Sequence, residues 1–136
     1  MSSSNSKLKK ISEKYPFLRK IYFFYNIFIR NYKSHFKTSQ FEEDVEILKN
    51  FSKNYKGIYL DIGAFHPIKV SNTFKLYKLG WRGINIDLNP LSIELFKFAR
   101  PKDINICAAI SNKESYKNMY FHHDLSPLNT IDSNEN

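Results

Sequence analysis

Two acids in this 136-residue chain stand where a folded chain could use them for chemistry. Asp61 lies in the short apolar run Ile58-Tyr59-Leu60-Asp61-Ile62, which stops at Gly63. Asp87 closes a second run, Gly83-Ile84-Asn85-Ile86. A carboxylate at the end of a strand can accept hydrogen bonds from both hydroxyls of a ribose, because a cis-diol offers two donors at carboxylate spacing. Gly63 has no Cβ, so its backbone can come close to the tail of such a ligand. It is the only glycine of its loop, and the G-x-G-x-x-G cradle for a pyrophosphate is absent. The pair therefore points to a nucleoside without phosphates rather than to NAD or FAD. Either acid alone is as readily a helix cap or a loop acceptor. The two in order, with a helix between them, carry the reading.

Those acids need strands and helices to hold them. Ser39 can cap a helix from Gln40 to Tyr55, with Glu42, Glu43 and Asp44 at its positive end and Phe41, Val45, Ile47, Leu48 and Phe51 on its apolar face. After Gly57 comes the strand Ile58–Ile62, then a loop from Gly63 to Val70. Ser71, Asn72 and Thr73 are cap-type residues that open a helix through about Leu79, and Gly80 closes it. Gly83–Leu88 reads as a second strand. Asn89-Pro90 turns into a helix, Leu91 to Ala99, which Arg100-Pro101 stops. Ile104–Ile110 is a third strand and Tyr116–Phe121 a shorter fourth, while Ser126–Asn136 is polar with no further element. Strand, helix, strand, helix, strand is the βαβαβ half of an α/β, doubly wound, mostly parallel sheet, and right-handed crossovers set the strands side by side with the first innermost. Ligands of such sheets sit beyond the carboxyl ends of the strands, where both acids fall.

Charge divides the chain differently. Residues 1–38 hold nine Lys/Arg against the single acid Glu13, so the whole net charge of +8 resides there, and residues 39–136 are neutral. A neutral body with a basic arm makes nucleic acid an unlikely partner, because no basic face lines the main surface. The arm also holds nine of the 22 aromatic residues, from Tyr15 to Phe36. Pro16 suits a helix start, and Arg19, Asn26, Arg30, Lys33 and Lys37 recur as one polar stripe on an otherwise apolar cylinder. Two arrangements fit it. The helix could pack its broad apolar face on the following domain, or lie in a membrane interface with its bases toward anionic lipid. The uncharged stretch Ile21–Ile29 is too short to span a bilayer and is no signal peptide, which points to a cytoplasmic protein with peripheral membrane contact left open.

Other candidates carry less. His66, in the loop after Asp61, could act as a base near a substrate hydroxyl, although a solvated loop histidine is the commoner arrangement. In His122-His123-Asp124 neighbouring rings on a strand point apart, so no metal site is expected. Cys107 reads as a small core residue and Trp81 as a packing anchor.

The ordered set Ser39-Gln40-x-Glu42/Glu43-Asp44, Asp61-Ile62-Gly63-Ala64, Ser71-Asn72-Thr73, Gly80-Trp81-Arg82-Gly83-Ile84, Asp87-x-Asn89-Pro90 and Ala109-Ile110-Ser111 resembles the FkbM-type methyltransferases. The likeness runs from Ser39 to about Thr130. It implies a Rossmann-like class I methyltransferase domain over residues 39–136, preceded by the N-terminal helical arm, and S-adenosylmethionine as cofactor. The acceptor would be a sugar or other hydroxylated small molecule. By the same resemblance Asp61, Gly63 and Ala64 would face the methionine part, Asp87 the ribose, Ala109 and Ser111 the adenine, and Ser71 and Asn72 would shape the pocket mouth. The loop Phe65-His66-Pro67 departs from the family's usual Asn-x-Gly and supplies fewer free amides. The family fold also runs about twice as far past Gly57, so this chain is expected to be an incomplete copy. Its first strand would then be a sheet edge, and a second chain could complete the sheet.

Overall fold

A computed structural model describes residues 10–30, 43–112, 119–120 and 130–131. The chain is mixed α/β. Helix α1, Pro16–Phe24, begins with proline in its first turn and runs into a π-helical turn, Tyr25–Ile29, where the Arg30 N–H donates to the Tyr25 carbonyl. A short α2, Glu43–Lys49, precedes β1, Ile58–Ile62. Then follow α3, Phe74–Lys78, β2, Arg82–Asp87, α4, Pro90–Ala99, and β3, Ile104–Cys107. The three strands are parallel in the order β1-β2-β3, with Leu60 beside Ile84 beside Ile104. Among the described residues β1 pairs only with β2 and so stands at an edge.

The N-cap of α4 follows from sequence: the Asn89 side chain accepts from the Leu91 N–H, and Pro90 occupies the first helical position. Two short strands, β4 (Met119–Tyr120) and β5 (Thr130–Ile131), pair antiparallel. Of the expected strand Tyr116–Phe121, Met119–Tyr120 is described and is extended, but β5 falls inside the polar tail that was expected to hold no element. Ser39, the first turn of the expected 40–55 helix and His122-His123-Asp124 lie outside the described residues.

Helices cover one face of the parallel sheet, and it is the polar face. Tyr59, Gly83 and Asn85 are buried there. On the opposite face the side chains are aliphatic: Ile58, Leu60 and Ile62 on β1, with Ile104 and Ile106 on β3, are 40–83% exposed among the described residues. Parallel sheets ordinarily bury both faces. The apolar core lies instead between layers of helix, where Tyr22, Phe23 and Ile27 of the arm meet Ile68, Leu91 and Leu95. A second cluster joins Tyr59, Leu76 and Trp81, with Ile47 and Leu48 of α2 against it. Trp81 is the packing anchor that its position suggested.

Beneath the sheet Gly83 lets two strands sit close. A Cβ there would come 2.2 Å from the Tyr59 ring and 2.6 Å from the Tyr59 carbonyl, which is backbone of the paired strand. The Tyr59 ring cannot swing aside, because its hydroxyl donates to Asp103 Oδ2 at 2.5 Å and accepts from Arg100. Gly83→Ala should therefore destabilise the fold by about 1–3 kcal/mol in urea denaturation, and wild-type stability would remove this account of the contact.

Candidate functional site

The carboxyl ends of β1 and β2 meet at one corner. Gly63 and Ala64 both donate backbone N–H bonds to the Ile86 carbonyl, 2.9 and 3.1 Å away, so the chain leaving β1 folds over the end of β2. Gly63 takes φ +71°, and a Cβ on it would meet nothing within 4 Å. Glycine is required there by the turn, and the space above it is open. Phe65 and Val70 also adopt positive φ, 53° and 52°, an uncommon conformation for residues with a Cβ.

Asp87 faces this turn. Its Oδ2 accepts from the Phe65 N–H at 2.8 Å, and its Oδ1 accepts from the Asn89 N–H at 2.7 Å. Each oxygen keeps a second lone pair, so the carboxylate can shape the loop and still accept two hydroxyls. Asp61 lies next to it. Its Oδ2 accepts from the Thr73 hydroxyl at 2.6 Å. Burial pushes the Asp61 carboxyl above the usual carboxylate range; Thr73 and Arg100 pull it down, and the nearby Asp87 charge adds to the rise.

The remaining expected site residues divide. Ala64 is buried in the turn, while Asn72 is exposed near its far end. Ala109 and Ser111 are exposed just beyond β3, whose last residue, Cys107, is paired with Asp87. Ser71 points inward: it is 2% exposed, and its Oγ accepts from Arg100 at 2.9 Å. It holds the loop from beneath rather than lining a mouth. Cys107 is exposed and not a core residue: it is the last residue of β3, at the end of the sheet. Partial desolvation, then Asp87, raise its thiol, against a lowering by Lys97.

His66 is buried, not solvated, at 2% exposure. Its Nδ1 accepts from the N–H groups of Ile68 and Lys69, at 3.1 and 3.0 Å. That lone pair closes the turn, and acting as a base through it would cost two backbone bonds.

Sequence reasoning overlooked the residue that ties the corner together. Arg100, read only as a helix stop, is 1% exposed. It donates to the Pro67 carbonyl at 2.5 Å, Ser71 Oγ at 2.9 Å, Thr73 Oγ1 at 2.8 Å and the Tyr59 hydroxyl at 3.2 Å. Thr73 passes the chain of bonds to Asp61, and Tyr59 passes it to Asp103, which also accepts from Gly83 N and Asn85 Nδ2. Desolvation weakens the hold of the guanidinium on its proton, and Tyr59, Asp61 and Asp103 oppose that. The Tyr59 hydroxyl is itself raised, chiefly by burial. An arginine followed by proline at a helix end was the available signal, and nothing near it in sequence names its partners.

Asp61 has a stability consequence. Its folded-state proton is held more tightly than in the unfolded chain, so its favourable contribution is complete below about pH 4 and is lost as pH rises through the raised folded value. At neutral pH the ionised group opposes folding. Asp61→Asn keeps an acceptor for Thr73 and should melt a few degrees higher than wild type at pH 7, with the gap closing as pH falls toward 4. A variant less stable at pH 7 would show that the Arg100 attraction dominates instead.

A shallow groove of about 330 Å³ between α1 and α4, lined in part by Phe23, Phe98 and Lys97, lies apart from this corner and is almost wholly apolar. No group of acids, histidines and cysteines among the described residues could hold a metal ion. Compared with protein-family models, curated proteins and solved structures, the chain matches none.

Proposed function

We propose that residues 39–136 form the cofactor-binding half of an S-adenosylmethionine-dependent methyltransferase of FkbM type, acting on the hydroxyl of a sugar or other small molecule. The observation that supports the reading most is Asp87 bonded to the Phe65 amide in the turn that opens at Gly63, at the same end of the sheet. The donor set fits the cofactor. Asp87 would take the ribose hydroxyls, the backbone of 63–65 would border the methionine part, and Ala109 and Ser111 the adenine. Asp61 and Asp87 together make the corner negative, which suits a ligand carrying a sulfonium and an ammonium.

When bound, S-adenosylmethionine supplies an electrophilic methyl group on a cationic sulfur. This chain's contribution is to orient: Asp87 and the turn fix the nucleoside, and correct alignment of donor and acceptor alone lowers the barrier substantially. A second reading, a catalytically incomplete module completed by another chain, draws on the edge position of β1 and the open aliphatic face of the sheet. Titration of the ¹⁵N-labelled chain with S-adenosylhomocysteine tests the first. Shifts confined to the amides of 63–65, 87–89 and 108–111 support it, and a spectrum unmoved at millimolar ligand overturns it.

A further inference from the structure

Of the polar stripe, Arg19 and Asn26 face the body, while Arg30 is exposed. Arg19 reaches Glu94 of α4 through Nε at 2.8 Å and stacks over Phe23, while Asn26, 1% exposed, donates to the Tyr22 carbonyl and accepts from Arg30. Tyr22, Phe23 and Ile27 pack beside them on the body. The helix is thus docked, as one of the two sequence readings expected, but by only part of its apolar surface. The rest looks away from the protein. Phe17 is 72% exposed, Phe24 51%, Ile21 49% and Ile29 57%, with Tyr25 beside them.

We infer that this outer face of α1 seats in the headgroup region of an anionic membrane. A helix apolar on both sides needs a second apolar surround. Charge selects which one. Lys20 is exposed on α1 and Lys10 and Lys14 on the helical stretch just before Tyr15, and the whole excess positive charge of the chain lies within residues 1–38. Aromatic and branched side chains at the boundary of headgroup and acyl chain, with lysines toward anionic lipid, is the composition of an interfacial helix. The inner contacts hold α1 against α4, so it would lie along the membrane and not cross it. Indeed, no helix among the described residues is long and apolar enough to cross. This inference does not depend on the cofactor reading.

Flotation of the full chain with vesicles tests it, one set of phosphatidylcholine alone and one of equal parts phosphatidylcholine and phosphatidylglycerol. The chain should float with the anionic set at low salt and be released as salt rises. Phe17→Ser combined with Phe24→Ser removes two side chains that are half exposed or more, of which Phe24 also meets the Phe28 ring. This variant should keep a cooperative melt and the wild-type circular dichroism while losing at least about tenfold in vesicle affinity. Lys14→Glu with Lys20→Glu should lose the anionic preference. Absence of flotation, equal binding to both vesicle sets, or undiminished binding by the folded serine variant overturns the inference. So does a dimer in sedimentation velocity that the serine variant dissolves, since a second copy would then cover the face.

Discussion

Arg100→Met should cost the fold about 3–5 kcal/mol, the loss typical when one partner of a buried charged network is removed. Methionine fills similar space but donates nothing. The Pro67 carbonyl, Ser71, Thr73 and Tyr59 would each lose a bond, and Asp61 and Asp103 would lose the cation that offsets their burial. A domain of this size has only about 5–15 kcal/mol in hand, so the variant should be partly unfolded at 37 °C. Arg100→Lys keeps the charge without the planar fork and should recover only part of the loss. Urea denaturation of both measures it. A cost under about 1 kcal/mol for Arg100→Met would mean that the guanidinium does not tie the loop to the sheet.

Asp87→Asn should weaken S-adenosylhomocysteine binding about 100-fold, because a charged acceptor shared by two hydroxyls becomes half donor. The same change sets an amide N–H₂ against the N–H of Phe65 or Asn89, so the turn itself would also suffer. A ligand-side control separates the two effects. The 2′,3′-dideoxy analogue lacks the hydroxyls but leaves the protein intact. If Asp87 grips the diol, the analogue binds wild type poorly, and the Asn variant no longer distinguishes it from the parent ligand. Equal wild-type affinity for both ligands removes the ribose assignment, whatever the variant does.

Local chemistry made much of this fold legible. The strand at 58–62 followed from its apolar run between Gly57 and Gly63, and the strand at 82–87 and the helix at 90–99 fall within one residue of the expected 83–88 and 91–99. The strand at 104–107 stopped sooner than the expected 110, and the bond from the Ala108 N–H to the Asp87 carbonyl is the last of its ladder. The juxtaposition of Asp87 with the Gly63 turn was legible from topology alone. What could not be read was orientation. Hydrophobic pattern would put Ile58, Leu60 and Ile62 under the helices, yet Tyr59, Asn85 and Asn105 lie there, drawn by Arg100 and Asp103 from distant positions. The arm failed to announce its inner face for a related reason: both faces are apolar, and the Arg19–Glu94 pair spans 75 positions. His66 looked like a solvent-facing residue because the donors to its Nδ1 are backbone N–H groups, which no side-chain pattern reveals.

The open isoleucines and leucine of the sheet link folding to mass action. Full burial of such a side chain contributes about 1.5–3 kcal/mol, and roughly half of that remains to be gained at each of these. A layer seated on Leu60, Ile104 and Ile106 would therefore add stabilisation comparable to a large part of what a small domain possesses. Any species that settled on those strands would raise the melting temperature of this chain with its own concentration, and thermal shift would register it.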